Sequence, residues 1–105
     1  MLNAGQKIMP TYERWPGFVR EYLRLTEEKR ALFMEAVAKM VEDMKAGRPF
    51  RPELRVHQVN KVAGVWEMTW AANGRATFMC GEGKQEGERH IIWRRIGGHE
   101  ILERP

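Results

Sequence analysis

The hydrophobic residues of this chain change their spacing at one place, and that change limits the folds open to it. From residue 25 to 47 apolar side chains recur every three to four positions, whereas from residue 54 to 96 they recur every second one. The first spacing suits a helix with one buried stripe, the second a strand with one buried face, so helices precede strands along the chain. Elements in that order pack as an α+β fold with the helices covering one face of a sheet. A length of 105 residues leaves room for one hydrophobic core, and residues 1–105 are read as a single domain.

Pro10 and Pro16 keep the start irregular. Phe18, Val19, Tyr22 and Leu25 then mark a short amphipathic helix over Gly17–Arg24. Thr26 is placed to cap a second helix, with Glu27 and Glu28 in the first turn where carboxylates favour the positive helix end. Its stripe is Leu32, Phe33, Ala36, Val37, Met40, Val41 and Met44, and Gly47 followed by Pro49 ends it. The short connection suggests an antiparallel helix pair on a common partner.

Four strands are expected, at Leu54–Val59, Val65–Trp70, Arg75–Cys80 and His90–Ile96, forming a mainly antiparallel sheet. Ala72, Asn73 and Gly74 fit a three-residue hairpin with Gly74 left-handed in a bulge. That register puts Trp66, Met68, Trp70, Ala76, Phe78 and Cys80 on the buried face, and Glu67, Thr69, Arg75 and Thr77 on an open polar one. In the last strand apolar residues occur in both registers, so period alone does not say whether Arg94 or Arg95 faces the polar side. Gly81–Glu88 reads as an exposed loop, and a short tail follows Gly97 and Gly98.

Apolar residues make up 43% and charged residues 30%, a balance that suits a folded chain. No apolar run approaches the roughly 20 residues that cross a bilayer, so a membrane is not an expected partner. The N-terminus lacks the apolar core of a secretory signal, which makes the cytoplasm the expected location. The single Cys80 cannot form an internal disulfide, and His57, His90, His99 and Cys80 include no closely spaced ligand pair, so neither a metal nor a cofactor is expected. A net charge of +4 points to a polyanion or an acidic protein as partner.

Three segments carry a family resemblance. The tail IIWRRIGGHEIL resembles the closing strand and terminal histidine of RNA-cleaving toxins of the RelE/ParE superfamily, the histidine here being His99. GVWEMTWAANGRATF resembles the same family's second hairpin, in which a Trp near the strand start, here Trp66, is followed by a turn and an Arg that opens the next strand, here Arg75. FRPELRVH resembles the entry to the first strand of the long hairpin, where some members place an acidic site residue, and Glu53 matches it. The resemblance implies a RelE-like toxin of a type II toxin–antitoxin system, an endoribonuclease (mRNA interferase) that needs no metal, acts on messenger RNA in the ribosome, inhibits translation and is neutralised by a cognate antitoxin in a hetero-oligomer. A similar branch poisons DNA gyrase but generally lacks the terminal histidine. An inactive homologue kept as a protein-binding module is the third reading.

Metal-free RNA cleavage needs a base for the 2′-hydroxyl, a cation facing the phosphate that gains charge, and an acid for the departing 5′-oxygen. His99, behind two glycines, suits the proton-transfer role, with a solvated tail histidine as the ordinary alternative. Arg75 can grip a phosphate bidentately, or instead pair across the strands with Glu67. Arg95 is the preferred further catalytic candidate, with Arg94 kept as an RNA contact. Glu53 can orient or deprotonate, although a solvated loop Glu is the commoner case. Arg51, Arg55 and Lys61, with His57 among them, form a basic run able to follow an RNA backbone, or simply a solvated strand edge. Trp66 and Trp70 offer stacking surfaces, but core packing is the more ordinary use of both.

Overall fold

The structure, a computed structural model, describes residues 11–82 and 89–105. Strand β1 (Thr11–Arg14) leads into helix α1 (Pro16–Arg24) and helix α2 (Glu27–Lys45). A 3-10 turn at Pro52–Leu54 then precedes β2 (His57–Gln58), β3 (Val65–Thr69), β4 (Arg75–Glu82), β5 (Arg89–Gly97) and a closing 3-10 turn at His99–Glu103. The fold is the expected α+β arrangement, but among the described residues the sheet has five strands, in the order β1-β5-β4-β3-β2, rather than four. β1 runs parallel to β5, and the other pairs are antiparallel. The four described residues of β1 precede Pro16 and are largely exposed, so they carry no apolar alternation to betray the strand. It is held by its ladder to β5 and by the Trp15 N–H, which donates to the Trp93 carbonyl at 3.0 Å.

Both helices start as their sequences dictate. Pro16 opens α1, where a missing N–H costs nothing, and the Thr26 hydroxyl accepts from the Lys29 N–H at 3.2 Å to cap α2. Gly47, left-handed at φ 67, ends α2. Phe18 from α1 and Phe33, Ala36, Met40 and Met44 from α2 are buried against Met68, Trp70, Phe78, Ile91, Trp93 and Ile96 of the sheet. Trp93 is the hub, with ring centroids of Phe18, Phe33 and Phe78 at 5.7, 5.2 and 5.4 Å. Leu32, expected in the stripe, is 43% exposed.

Several expectations need correction. The strand anticipated at Leu54–Val59 is a 3-10 turn and a two-residue strand, because Pro52 removes a ladder donor and Arg55 sits left-handed at φ 47. The hairpin register is as expected, Trp66 facing Phe78 and Thr69 facing Arg75, but Gly74 is not left-handed. A glycine is needed there for a different reason: the Trp70 indole lies against it, closing the position to any Cβ. β4 runs on through Gly81 and Glu82, so the expected loop is strand at its start, and residues 83–88 lie outside the described residues, as does Pro10.

The second face of the sheet is not open throughout. Val65, Glu67 and Thr77 are buried there, and Ile101 of the closing turn is 1% exposed. The Thr77 hydroxyl donates to the Pro105 carbonyl at 2.9 Å, so the C-terminal tail lies across β4 and β5. Cys80, expected on the buried face, is exposed near the end of β4.

Candidate functional site

β5 explains why its arginines could not be assigned from period. Phe78 faces Trp93, yet Thr77 faces Arg95, so Arg94 is an extra residue in a β-bulge. The insertion lets Ile91, Trp93 and Ile96 all reach the core although their spacing breaks alternation, and it turns both arginines away from it. Arg95 forms a two-pronged pair with Glu21 of α1, Nη2 to Oε2 at 2.6 Å and Nε to Oε1 at 3.3 Å, and its Nη1 donates to the Arg104 carbonyl at 3.2 Å. The Glu21 carboxylate raises the pKa of Arg95 further. Arg94 donates from Nε to the Pro105 carbonyl at 3.2 Å and lies 4.2 Å from the centre of the Trp15 ring.

Arg75 opens β4, between Thr69 of β3 and Gly97 of β5. Its Nη1 donates to the carbonyls of Gly74, Ala71 and Ala72 at 2.9, 3.3 and 3.4 Å, so the guanidinium is pre-set over its own hairpin. Glu67 pairs instead with His57, Oε1 to Nε2 at 2.7 Å. Arg75, Glu53 and Arg55 line one hollow of about 430 Å³ between α2, the first 3-10 turn and the hairpin. Lys39 joins them and reaches Glu53 at 3.4 Å; this residue was not singled out in the sequence, where it reads only as the polar face of α2.

His99 does not line that hollow. It is exposed at the start of the closing turn, two residues beyond Gly97, and its N–H donates to the Asn73 side-chain oxygen at 3.3 Å. The hairpin tip thus links the two, with Asn73 holding the His99 backbone and Arg75 emerging just after it. A second hollow, of about 370 Å³ and lined by Lys29, Asn73, Gly98 and Glu100, lies on this side of the hairpin. The Glu100 carboxylate accepts from the Gly98 N–H at 3.1 Å, and backbone N–H groups of Glu100 and Gly98 hold its pKa below the usual range. Gly97 and Gly98 leave room for Ile101 and Glu100 of the folded tail.

Arg51 serves the scaffold. Asp43 is fully buried, and its carboxylate accepts from the Arg51 N–H at 2.9 Å, Arg51 Nε and Nη2 at 3.0 Å each, and Arg48 Nε at 2.7 Å. The Arg51 guanidinium holds the Asp43 carboxyl well below the ordinary carboxylate range. Lys61 is exposed in the β2–β3 connection, apart from these groups. Among the described residues no three His, Cys, Asp or Glu side chains are grouped to hold a metal ion, and no helix is long and apolar enough to cross a membrane.

The sequence matches no family model and no curated protein, but solved structures share the fold. A toxin from Helicobacter pylori superposes with a TM-score of 0.64 at 14% identity, covering 90% of this chain and 99% of that one. The Escherichia coli DinJ–YafQ toxin–antitoxin complex gives 0.63 at 10% identity over 90% and 98%. The YoeB/ParE toxin from Agrobacterium tumefaciens gives 0.61 at 14% identity over 85% and 98%. The chain therefore has the fold of the RelE, YafQ and ParE toxins of toxin–antitoxin systems.

Proposed function

We propose that this chain is the toxin of a type II toxin–antitoxin pair and an mRNA endoribonuclease that acts at the ribosome in the cytoplasm. The observation that carries the reading is the hairpin tip, where Arg75 and His99 come to one end of the sheet through the Arg75–Gly97 pairing and the Asn73–His99 hydrogen bond. A guanidinium held by three backbone carbonyls is organised before substrate arrives, so it can meet the charge that grows on the phosphate without reorganising. The exposed imidazole of His99 can protonate the departing 5′-oxygen or accept the 2′-hydroxyl proton. Glu53 and Lys39, facing the hollow beside Arg75, supply a carboxylate and a cation to orient the ribose and the adjacent phosphate. Arg95, bound to Glu21, and Arg51, bound to Asp43, have lesser claims to touch the scissile bond.

A cognate antitoxin, acidic or amphipathic, would complement the basic surface and block it until removed. Induced expression followed by primer extension on cellular mRNA tests the nuclease reading: discrete new 5′ ends are expected. DNA damage signalling with intact mRNA would replace it with the gyrase-directed reading, and neither response would leave a binding module. Isothermal titration with the product of the neighbouring gene tests the antitoxin, and saturable binding is expected.

A further inference from the structure

The bulge in β5 assembles a second cationic site on the α1 side of the molecule. An open groove of about 420 Å³ is lined by Arg20 and Arg24 of α1, Arg94 and Arg95 of β5, Arg104 of the tail, and Trp15. Its acidic lining side chain, Glu21, is already engaged by Arg95 through two hydrogen bonds and also accepts from the Ile96 N–H at 3.3 Å, and the final residue, Pro105, lines the groove as well. No Asp or Glu side chain of the described residues lies within ion-pair range of Arg20, Arg24, Arg94 or Arg104, while Arg94 Nε donates to the oxygen of the final residue, Pro105, at 3.2 Å. Three guanidinium charges, those of Arg20, Arg24 and Arg104, therefore stand in one groove without an acidic partner among the described residues, beside Arg94 bound to Pro105 and Arg95 bound to Glu21. Like charges gathered this closely cost stability unless an anion joins them.

The groove also has an aromatic side. Trp15 is 40% exposed, and the Arg94 guanidinium stacked at 4.2 Å from its ring holds the indole in place. Arg20 and Arg24 stand one helical turn apart, about 6 Å along the axis, so both guanidiniums serve one line of approach. Arginine forks match phosphate oxygens, and an exposed indole beside them gives an unpaired base a surface to stack on. An acidic peptide would use the cations but gains less from the indole.

We propose that this groove binds the phosphodiester backbone of single-stranded RNA, with Trp15 stacking a base, as a second binding site beside the hairpin-tip centre. The assignment rests on the chain acting on RNA, and it places the backbone contacts here rather than on Arg51, Arg55 and Lys61.

The test is fluorescence anisotropy of a labelled oligouridylate across a salt series. Arg20, Arg24 and Arg104 are exposed, so replacing all three by alanine leaves the fold intact, as a thermal melt will register. Each lost phosphate contact on a single strand lowers the slope of log affinity against log salt by about 0.7, so the triple variant is expected to lose about 2. Trp15→Leu is expected to weaken binding roughly tenfold. Lys61→Ala, at a position apart from both sites, is expected to keep the parent slope. A triple variant with parent affinity and slope overturns the groove. So does a polyglutamate peptide that binds the parent as tightly as the RNA and depends on the same three arginines, an outcome that would assign the groove to an acidic protein. Cleavage assays run in parallel separate the two proposals. A parent that binds oligouridylate through the groove yet cuts no message overturns the nuclease and leaves the groove, whereas a triple variant that cuts and binds like the parent overturns the groove alone.

Discussion

Replacing Gly74 by alanine puts a methyl group into space already filled by the Trp70 indole. The new Cβ would stand 2.5, 2.6 and 2.7 Å from Cδ2, Cε2 and Cε3 of Trp70, where carbon atoms settle at about 3.5–4.0 Å. The ring must therefore retreat by roughly 1 Å or the hairpin must open by as much. Neither is easy. Trp70 is 8% exposed and meets Phe33 edge-on at 6.3 Å, and Phe33 is itself packed on Trp93 at 5.2 Å, so a displaced indole disturbs the aromatic cluster. On the backbone side the Gly74 N–H donates to Ala71 and its carbonyl accepts from Trp70, which ties the turn down. Overpacking of this kind costs about 2–3 kcal/mol. For a domain of this size that lowers the melting temperature by roughly 10 °C or more, readable by circular dichroism. Gly64→Ala is the comparison: φ is +78 there and nothing lies within 4 Å, so only backbone strain of about 1 kcal/mol is expected. Trp70→Leu makes room for the methyl group and orphans no partner, since the buried indole Nε1 has none among the described residues. Gly74→Ala should then cost much less in the Trp70→Leu background than in the parent. A Gly74→Ala protein melting within about 2 °C of the parent, or strict additivity of the two changes, would refute the packing argument.

Other outcomes follow from the same contacts. His99→Gln and Arg75→Ala should each slow single-turnover cleavage of a ribosome-bound message by roughly a hundredfold or more, with RNA binding spared better by the first because the imidazole acts mainly in the transition state. Full activity in His99→Gln would remove it from the reaction. Asp43 has its pKa depressed in the folded state, so its contribution is complete above the ordinary carboxylate value of 3.8 and is lost as pH falls through the lower folded value. Melting temperature should therefore fall on acidification below about pH 4, and Asp43→Asn should be less stable at neutral pH with a flatter acid limb. Glu21→Gln removes the anion beneath the arginine groove, so it should tighten oligouridylate binding severalfold while lowering the melting temperature slightly. A parallel loss of both would show that Glu21 chiefly organises the groove.

The helices and the β3–β4 hairpin were legible because each carries its own local signal. Thr26 caps, Gly47 terminates, and the alternation from Val65 to Cys80 gives a register that the pairing of Trp66 with Phe78 confirms. Elements that depend on distant partners were not. β1 is a strand only because β5 offers it a ladder, and the residues from Leu54 to Val59 extend for only two positions because Pro52 and the left-handed Arg55 intervene. Arg51 shows the same limit at the level of a side chain. Its place in a basic run suggested a backbone contact, and nothing nearby in the chain announced that Asp43, eight residues back, would be buried beneath it. His99 and Arg75 were named from resemblance, and the structure places them on either side of the Asn73 turn rather than in one cavity.

The bulge shows why ambiguity in a pattern can itself carry information. A regular strand through HIIWRRI could bury Ile91 and Trp93 or Ile92 and Ile96, but not Ile91, Trp93 and Ile96 together. The core takes the third set, which is possible only with an inserted residue, and the inserted residue is Arg94. The cost is a register shift between Thr77 and Phe78, and beside it the Thr77 hydroxyl donates to the Pro105 carbonyl. That bond and the Arg94–Pro105 contact draw the tail across the sheet, which brings Arg104 to the groove and covers the face beneath Ile101. One extra residue thus links three features that look independent in the sequence: a strand with two apolar registers, adjacent arginines, and a glycine-led tail that folds back instead of leaving the domain.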